Sequence, residues 1–235
     1  THFYSDHCGA ILMPNSKLDI TRAFISTVER KGLSGVRVTE LVEELGLNRK
    51  TFYYHFDSKY ELAMRIFLLD LGKDLRENFA GLDIVTIDTI AGKKQEEPYA
   101  AYVRIEEAAR AYDTSEFLKA AARVILTRKR FYAQLFSEKE IDFCQVFKDA
   151  YRPIVTQDIN LVLGGRFLPT QTIDYLAEIG LSTYLTQLRF VCSNAAASSI
   201  LNDSTNPFWN FYQEALSSID VFHAVAVTEE HVRYG

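Results

Sequence analysis

The chain is predicted to be all-α, on three observations. Apolar residues recur at helical spacing over most of its length, as in Ile20, Phe24 and Val28. Five prolines are spread over 235 residues, few enough to leave long helical patterns uninterrupted. Residues 36–62, VRVTELVEELGLNRKTFYYHFDSKYEL, read as two short helices around a glycine turn, the wiring of a helix-turn-helix.

Helix one is expected from about Ser16 to Lys31, with Gly32 ending it. In the second helix Val38, Leu41, Val42 and Leu45 form one apolar face, and Gly46 supplies the left-handed turn that a Cβ would penalise. Asn48 is an N-cap for helix three, and Ser58 with Glu61 makes a capping-box pattern for a fourth helix running through Phe67, Leu71 and Leu75 to about Phe79. Residues 81–97 contain IVTIDTI, which alternates like a strand. A lone strand has no partner in a helical body, so the segment is expected to be loop or helix end.

Pro98 suits the first turn of a helix to Tyr112, and Thr114 or Ser115 caps the next, to about Phe136. Ser137 and Glu140 suggest a capping box opening a long helix toward Leu163, which Pro153 should kink or break before Gly164 and Gly165 end it. A helix from Thr170 to about Asn194, a turn-rich stretch from Asn202 to Pro207 and a last helix from Phe208 to Ala224 complete the body. The division is therefore an irregular arm over 1–15, a helix-turn-helix domain over 16–62 and a helical body over 63–235.

The start of helix three presents Arg49, Lys50 and Thr51 together, groups that bond phosphates and base edges. Direct readout needs side chains near the N-terminus of such a helix, where Arg49 and Lys50 can donate to guanine O6 and N7. The net charge of -5 disfavours nonspecific nucleic-acid binding by the whole surface, but from Arg49 to Lys59 three basic residues meet Asp57 alone, so a basic patch is local.

From Leu41 to Leu62 the sequence LxxxxGLNRKTFYYHFDSKYEL resembles the DNA-binding domain of the TetR family of bacterial transcription regulators. Asn48, Thr51, Phe52, Tyr53, His55, Phe56, Ser58 and Lys59 fall in register with that pattern, and the likeness spans about 45 residues from Lys17. The wording NRKTFYYHF also resembles the subgroup related to the activator of dihydroxyacetone kinase genes. The resemblance implies that Tyr54 projects toward bases and that Thr51, Tyr53, His55 and Lys59 meet phosphates. Its usual Thr or Ser cap of the second helix is replaced by Arg37, which can reach a phosphate but cannot cap.

What the resemblance implies for the whole is a ligand-responsive, homodimeric repressor in the cytoplasm. Its partner is double-stranded DNA bearing a near-palindromic operator, with a small-molecule effector for the body and no membrane. Seams are expected on Ile173, Leu176, Ile179, Thr183 and Leu188, and on Phe208, Phe211, Ala215 and Ile219. Tyr102, Arg104, Tyr132, Phe136, Tyr151 and Tyr184 are aromatic or polar groups of the kind that line small-molecule sites. The alternative function is an interaction or small-molecule-binding protein whose helix-turn-helix no longer reads DNA.

Other chemistry has little footing. There is no GxSxG, HExxH, Walker A or dinucleotide fingerprint, so no enzyme and no cofactor is expected. Cys8, Cys144 and Cys192 are separated and form no CxxC, which suits a reducing compartment; a redox role would require an electropositive, accessible thiol. His2 and His7 beside Cys8 lack the spacing of a metal site, and His223 and His231 read as surface residues. No apolar run approaches ~18 residues, and no signal peptide is evident.

Overall fold

The structure is a computed structural model that describes residues 16–90, 93–108, 111–113, 115–194, 196, 197 and 199. Among these residues the protein is mostly helical, with eight helices and one small sheet. The expected arm over 1–15, the Asn202–Pro207 turn, the helix from Phe208 to Ala224 with its seam residues, and His2, His7, Cys8, His223 and His231 lie outside the described residues.

The head is built from α1 (Ser16–Lys31), α2 (Val38–Glu43), α3 (Arg49–His55) and the start of α4 (Lys59–Asn78). Asp19 in the first turn of α1 and Arg30 and Lys31 in its last complement the helix dipole, and Gly32 ends the helix at φ 76°. Gly46 turns the chain between α2 and α3 at φ 66°, the left-handed value its position demands. Ile20, Phe24, Val28, Leu41, Val42, Phe52 and Phe56 close over one another as the core of the head.

α4 runs without interruption from the head into the body and buries both Leu62 at its start and Leu75 near its end. Across it lies an antiparallel sheet of β1 (Asp83–Ile90), β2 (Lys93–Ala108) and β3 (Ala111–Asp113), in the order β1-β2-β3. IVTIDTI is a strand after all, and in place of a helix from Pro98 to Tyr112 the chain forms most of β2 and the start of β3. The partner that a lone strand lacked is the next segment, with Asp83 opposite Arg104, Val85 opposite Tyr102 and Ile87 opposite Tyr99. Pro98 falls where the register shifts between Ile87 and Thr89, a place where its missing N–H breaks no ladder bond.

The remaining helices are α5 (Ser115–Thr127), α6 (Lys129–Leu135), α7 (Ile141–Leu163) and α8 (Thr170–Ser193). The single helix expected to Phe136 is two, parted at Arg128, whose φ of -137° and ψ of 52° are not helical. α7 continues through Pro153 instead of breaking there, and ends at Gly164 in the left-handed conformation. The capping box expected at Ser137 and Glu140 does not form: the Glu140 carboxylate makes no cap of α7 and accepts instead from the backbone N–H of Ser34 at 2.8 Å.

The body core is largely aromatic. Phe67 of α4 meets Tyr132, Phe136 and Phe147 at ring centroid distances of 6.0, 5.6 and 5.9 Å. Phe147 stacks on Tyr151 at 4.6 Å, and Phe117 continues the chain of rings to Tyr151, Tyr184 and Tyr102. Phe24 of the head joins it edge-on through Phe131 at 6.3 Å. Such edge and offset pairs add to the stabilisation from burial alone.

Candidate nucleic-acid interface

α3 turns one face to the core and the other to solvent, with Thr51 and His55 between them. Phe52 and Phe56 are fully buried, while Arg49, Lys50, Tyr53 and Tyr54 are exposed, Tyr54 to 83%. The division follows from helical spacing, since positions 52 and 56 share the inner face and 49, 50, 53 and 54 fall outside it. Asn48 caps the helix by accepting from the Lys50 N–H at 2.8 Å, which fixes where the first turn begins. No acidic residue lies in that turn.

Arg49 folds along the helix. Its Nη2 donates to the Tyr53 hydroxyl at 3.3 Å, and its guanidinium carbon lies 5.3 Å from the centre of the Tyr53 ring. His55 is half-buried, with Nε2 2.8 Å from the hydroxyl of Ser16, so it ties the end of α3 to the start of α1. Thr51 is half-buried and its backbone N–H donates to the Asn48 carbonyl. Arg37 stands at the N-cap of α2 without a side-chain cap; it donates to Glu40 at 3.1 Å and stays mostly exposed. The Glu40 carboxyl is held below its usual range, first by its bond to Lys31 and also by Arg37.

Lys59 is the site residue whose surroundings differ most from those the resemblance implies. Its ammonium donates to the carbonyls of Leu33, Ser34 and Val36 at 2.9, 3.2 and 3.2 Å, using all three of its protons on the turn between α1 and α2. Burial draws its pKa down, with the charges of Glu140 and Asp142 acting the other way. Beside it the Tyr60 hydroxyl donates to Asp142 at 2.8 Å. Thus the turn, the start of α4 and the start of α7 meet in one joint between head and body. Sequence reasoning missed it, because Ser34 and Glu140 are far apart in the chain and neither carries a periodic signal.

Behind α3, Glu61 is fully buried and paired with Arg65 at 2.7 Å, and Arg65 lies over the Phe56 ring at 5.3 Å. Burial raises the Glu61 pKa against the opposing pull of Arg65. Ser58 accepts from the Glu61 N–H at 3.0 Å while the Glu61 carboxylate accepts from the Asp57 N–H at 3.3 Å, so the expected capping pattern is present, its return bond made one residue earlier than usual.

Of the six residues read as candidates for a small-molecule site, the five aromatic ones lie in the core of the body. Tyr102, Tyr132, Phe136, Tyr151 and Tyr184 are each exposed by 2% or less. Tyr132 donates to Asp70 at 2.5 Å, and Tyr151 to the Ala101 carbonyl at 2.9 Å; burial raises both phenol pKa values well above the usual range. Arg104 donates to Asp158 through Nε at 2.9 Å and Nη2 at 2.7 Å, and to Asp83 at 3.2 Å, tying the sheet to α7. A separate open groove of about 640 Å³ runs along α7 past Arg152, Pro153, Gln157 and Asn160.

Of the expected α8 seam, Leu188 is buried, Ile173 and Leu176 are half-buried against the core, and Ile179 is 47% exposed beside Tyr175 at 67%. Burial pushes the Cys192 thiol up to about 12, away from the reactive thiolate. Among the described residues no cluster of His, Cys, Asp or Glu could hold a metal ion, and no helix is long and apolar enough to cross a membrane.

No curated protein matches the chain. Among solved structures it is similar to a crystal structure titled as a transcriptional regulator (TerR/AcrR family) from Aquifex aeolicus VF5. The match is at 21% identity and TM-score 0.36, over 87% of this chain and 99% of that one. So loose a superposition carries no argument about the body. Residues 20–66 match the family model described as bacterial regulatory proteins, tetR family, so the helix-turn-helix head described above is similar over those residues to the N-terminal domain of that family.

Proposed function

We propose that the protein is a sequence-specific DNA-binding transcription regulator that acts as a homodimeric, ligand-responsive repressor. The observation that carries the reading is the outer face of α3, where Arg49, Lys50, Tyr53 and Tyr54 are exposed on a helix anchored by buried Phe52 and Phe56. Arg49, Lys50 and Tyr54 read base edges; Arg37, Asn48, Thr51, Tyr53, His55 and Lys59 hold the phosphate backbone directly or shape the surface that does. The exposed Tyr175 and Ile179 of α8 favour a two-fold pairing of bodies, which would set the reading helices about 34 to 36 Å apart on a near-palindrome.

An effector acts on the body at the aromatic groups around Tyr102, Arg104, Tyr132, Phe136, Tyr151 and Tyr184. It works by favouring a conformation whose two α4 helices hold the heads at the wrong separation, and operator and effector must then weaken each other equally. The likeness of residues 48–56 to the dihydroxyacetone kinase activator subgroup makes activation the alternative sign.

The test is selection of bound sequences from a random duplex pool, with Arg49→Ala/Tyr54→Ala as control. Enrichment of a palindrome by the native protein and its loss in the control is the expected result. No enrichment at low salt would sink the proposal and favour an interaction protein with a silent head.

A further inference from the structure

Arg49 and Tyr53 sit one helical turn apart on the exposed face of α3, and the structure joins them twice. The guanidinium lies 5.3 Å from the ring centre, and Nη2 donates to the hydroxyl at 3.3 Å. Arg37, the other arginine assigned to the interface, is held by a carboxylate, that of Glu40. Arg49 has an aromatic face and a neutral oxygen for a partner, so its full charge is left for the nucleic acid.

We propose that Tyr53 is a specificity-determining positioning residue that holds the Arg49 guanidinium for base readout; the inference rests on the DNA-reading function proposed above.

An arginine on an open helix has several free rotors, and whatever order it lacks before binding must be imposed on binding. A guanidinium held against a ring in this way has part of that order already, because the contact with the ring and the hydrogen bond together restrict its position and its heading. The ring is itself supported. Tyr53 packs edge-on against Phe52 at a centroid distance of 5.3 Å and an angle of 79°, and Phe52 is fully buried in the head. Support therefore passes from core to Phe52, to Tyr53, to Arg49.

The hydroxyl has a second use. Accepting from Arg49 leaves its own proton free to donate to a phosphate oxygen. One group then couples the contact that sets register to the side chain that reads a base. Tyr53 acts on sequence preference through Arg49 and does not itself read a base.

The test starts from the operator enriched by the native protein; if nothing is enriched, the DNA-reading function fails, which is a different failure from the one tested next. Binding of the native chain, Arg49→Ala, Tyr53→Leu, Tyr53→Phe and Arg49→Ala/Tyr53→Leu is measured on that operator. It is measured again on a duplex altered at the base pair where Arg49→Ala loses its preference. The readout is the affinity ratio between the two duplexes within one preparation, so any unfolded fraction cancels.

The expected result is a ratio reduced about three- to tenfold in Tyr53→Leu, within the usual coupling of side chains in contact. Tyr53→Phe keeps most of the ratio because the ring remains, and the double variant discriminates no worse than Arg49→Ala alone. A Tyr53→Leu variant that binds both duplexes more weakly by the same factor would make Tyr53 a phosphate contact only and overturn the proposal. So would an Arg49→Ala variant that loses preference at no base pair.

Discussion

Replacing Lys59 with Met keeps the stem of the side chain and removes the ammonium, and with it the bonds to the carbonyls of Leu33, Ser34 and Val36. The Ser34 carbonyl bond is exposed, so water takes the place of the lost donor at little cost. The other two bonds are partly buried, and counting each at about 1 kcal/mol gives a loss of about 2 kcal/mol. For a chain of this size that is a fall in Tm of roughly 4 to 8 °C. Circular dichroism melting measures it directly. The salt dependence of DNA binding supplies the contrast, since a lysine that meets a phosphate reduces the slope by about one when removed. A Lys59→Met variant with unchanged Tm and a slope reduced by about one would refute the reasoning, showing that the ammonium leaves the turn for DNA and contributes nothing to the fold.

Three other outcomes test the packing. The Tyr60 hydroxyl is pushed up to about 12, first by burial and then by its bond to Asp142. That value lies above the unfolded value of about 10, so the stabilisation is complete below pH ~10 and is lost as pH rises toward about 12. Tyr60→Phe should therefore show a shallower fall of Tm across that window than the native chain, and identical slopes would contradict the tie to Asp142. A Cβ at Gly72 would stand 3.0 Å from the Ala100 carbonyl oxygen of β2, so Gly72→Ala should lower stability by about 1 to 3 kcal/mol in denaturant titration; an unchanged midpoint would mean the sheet yields without cost. Phe147→Ala removes a ring stacked on Tyr151 and in contact with Phe67 and Phe136. It should cost about 3 to 5 kcal/mol, and a loss under about 1 kcal/mol would show that the core collapses to fill the space.

The head was legible because its signals are local. Asn48 and Ser58 cap within three residues of themselves, Gly46 answers a single backbone angle, and Phe52 and Phe56 share a face by spacing alone. The sheet was hidden for the opposite reason. Residues 93–108 are rich in Lys, Glu and Ala, which favour helix, and Pro98 reads as a helix start until the register shift that accommodates it is known. What overrides those preferences is the pairing of Asp83–Ile90 with the following strand and the closeness of Gly72 to β2, neither of which a single segment encodes. Glu140 shows the same limit at the scale of one side chain, for its spacing from Ser137 spells a cap while its carboxylate serves Ser34. The exposed face of α3 could be read from the pattern, but the alliance of Arg49 with Tyr53 and the capture of Lys59 by three carbonyls could not, since both depend on where flexible ends come to rest.

The continuous aromatic core bears on how such a body would answer a small molecule. Rings from Phe67 to Tyr102 already occupy one another's faces and edges, so a guest entering between them must first part them. Its apparent affinity is then the intrinsic affinity scaled by the fraction of time the core stands open. A substitution that trims one ring would raise that fraction and tighten binding even as it lowers Tm. Sensitivity to the guest and resistance to heat would therefore trade against each other within the same few side chains.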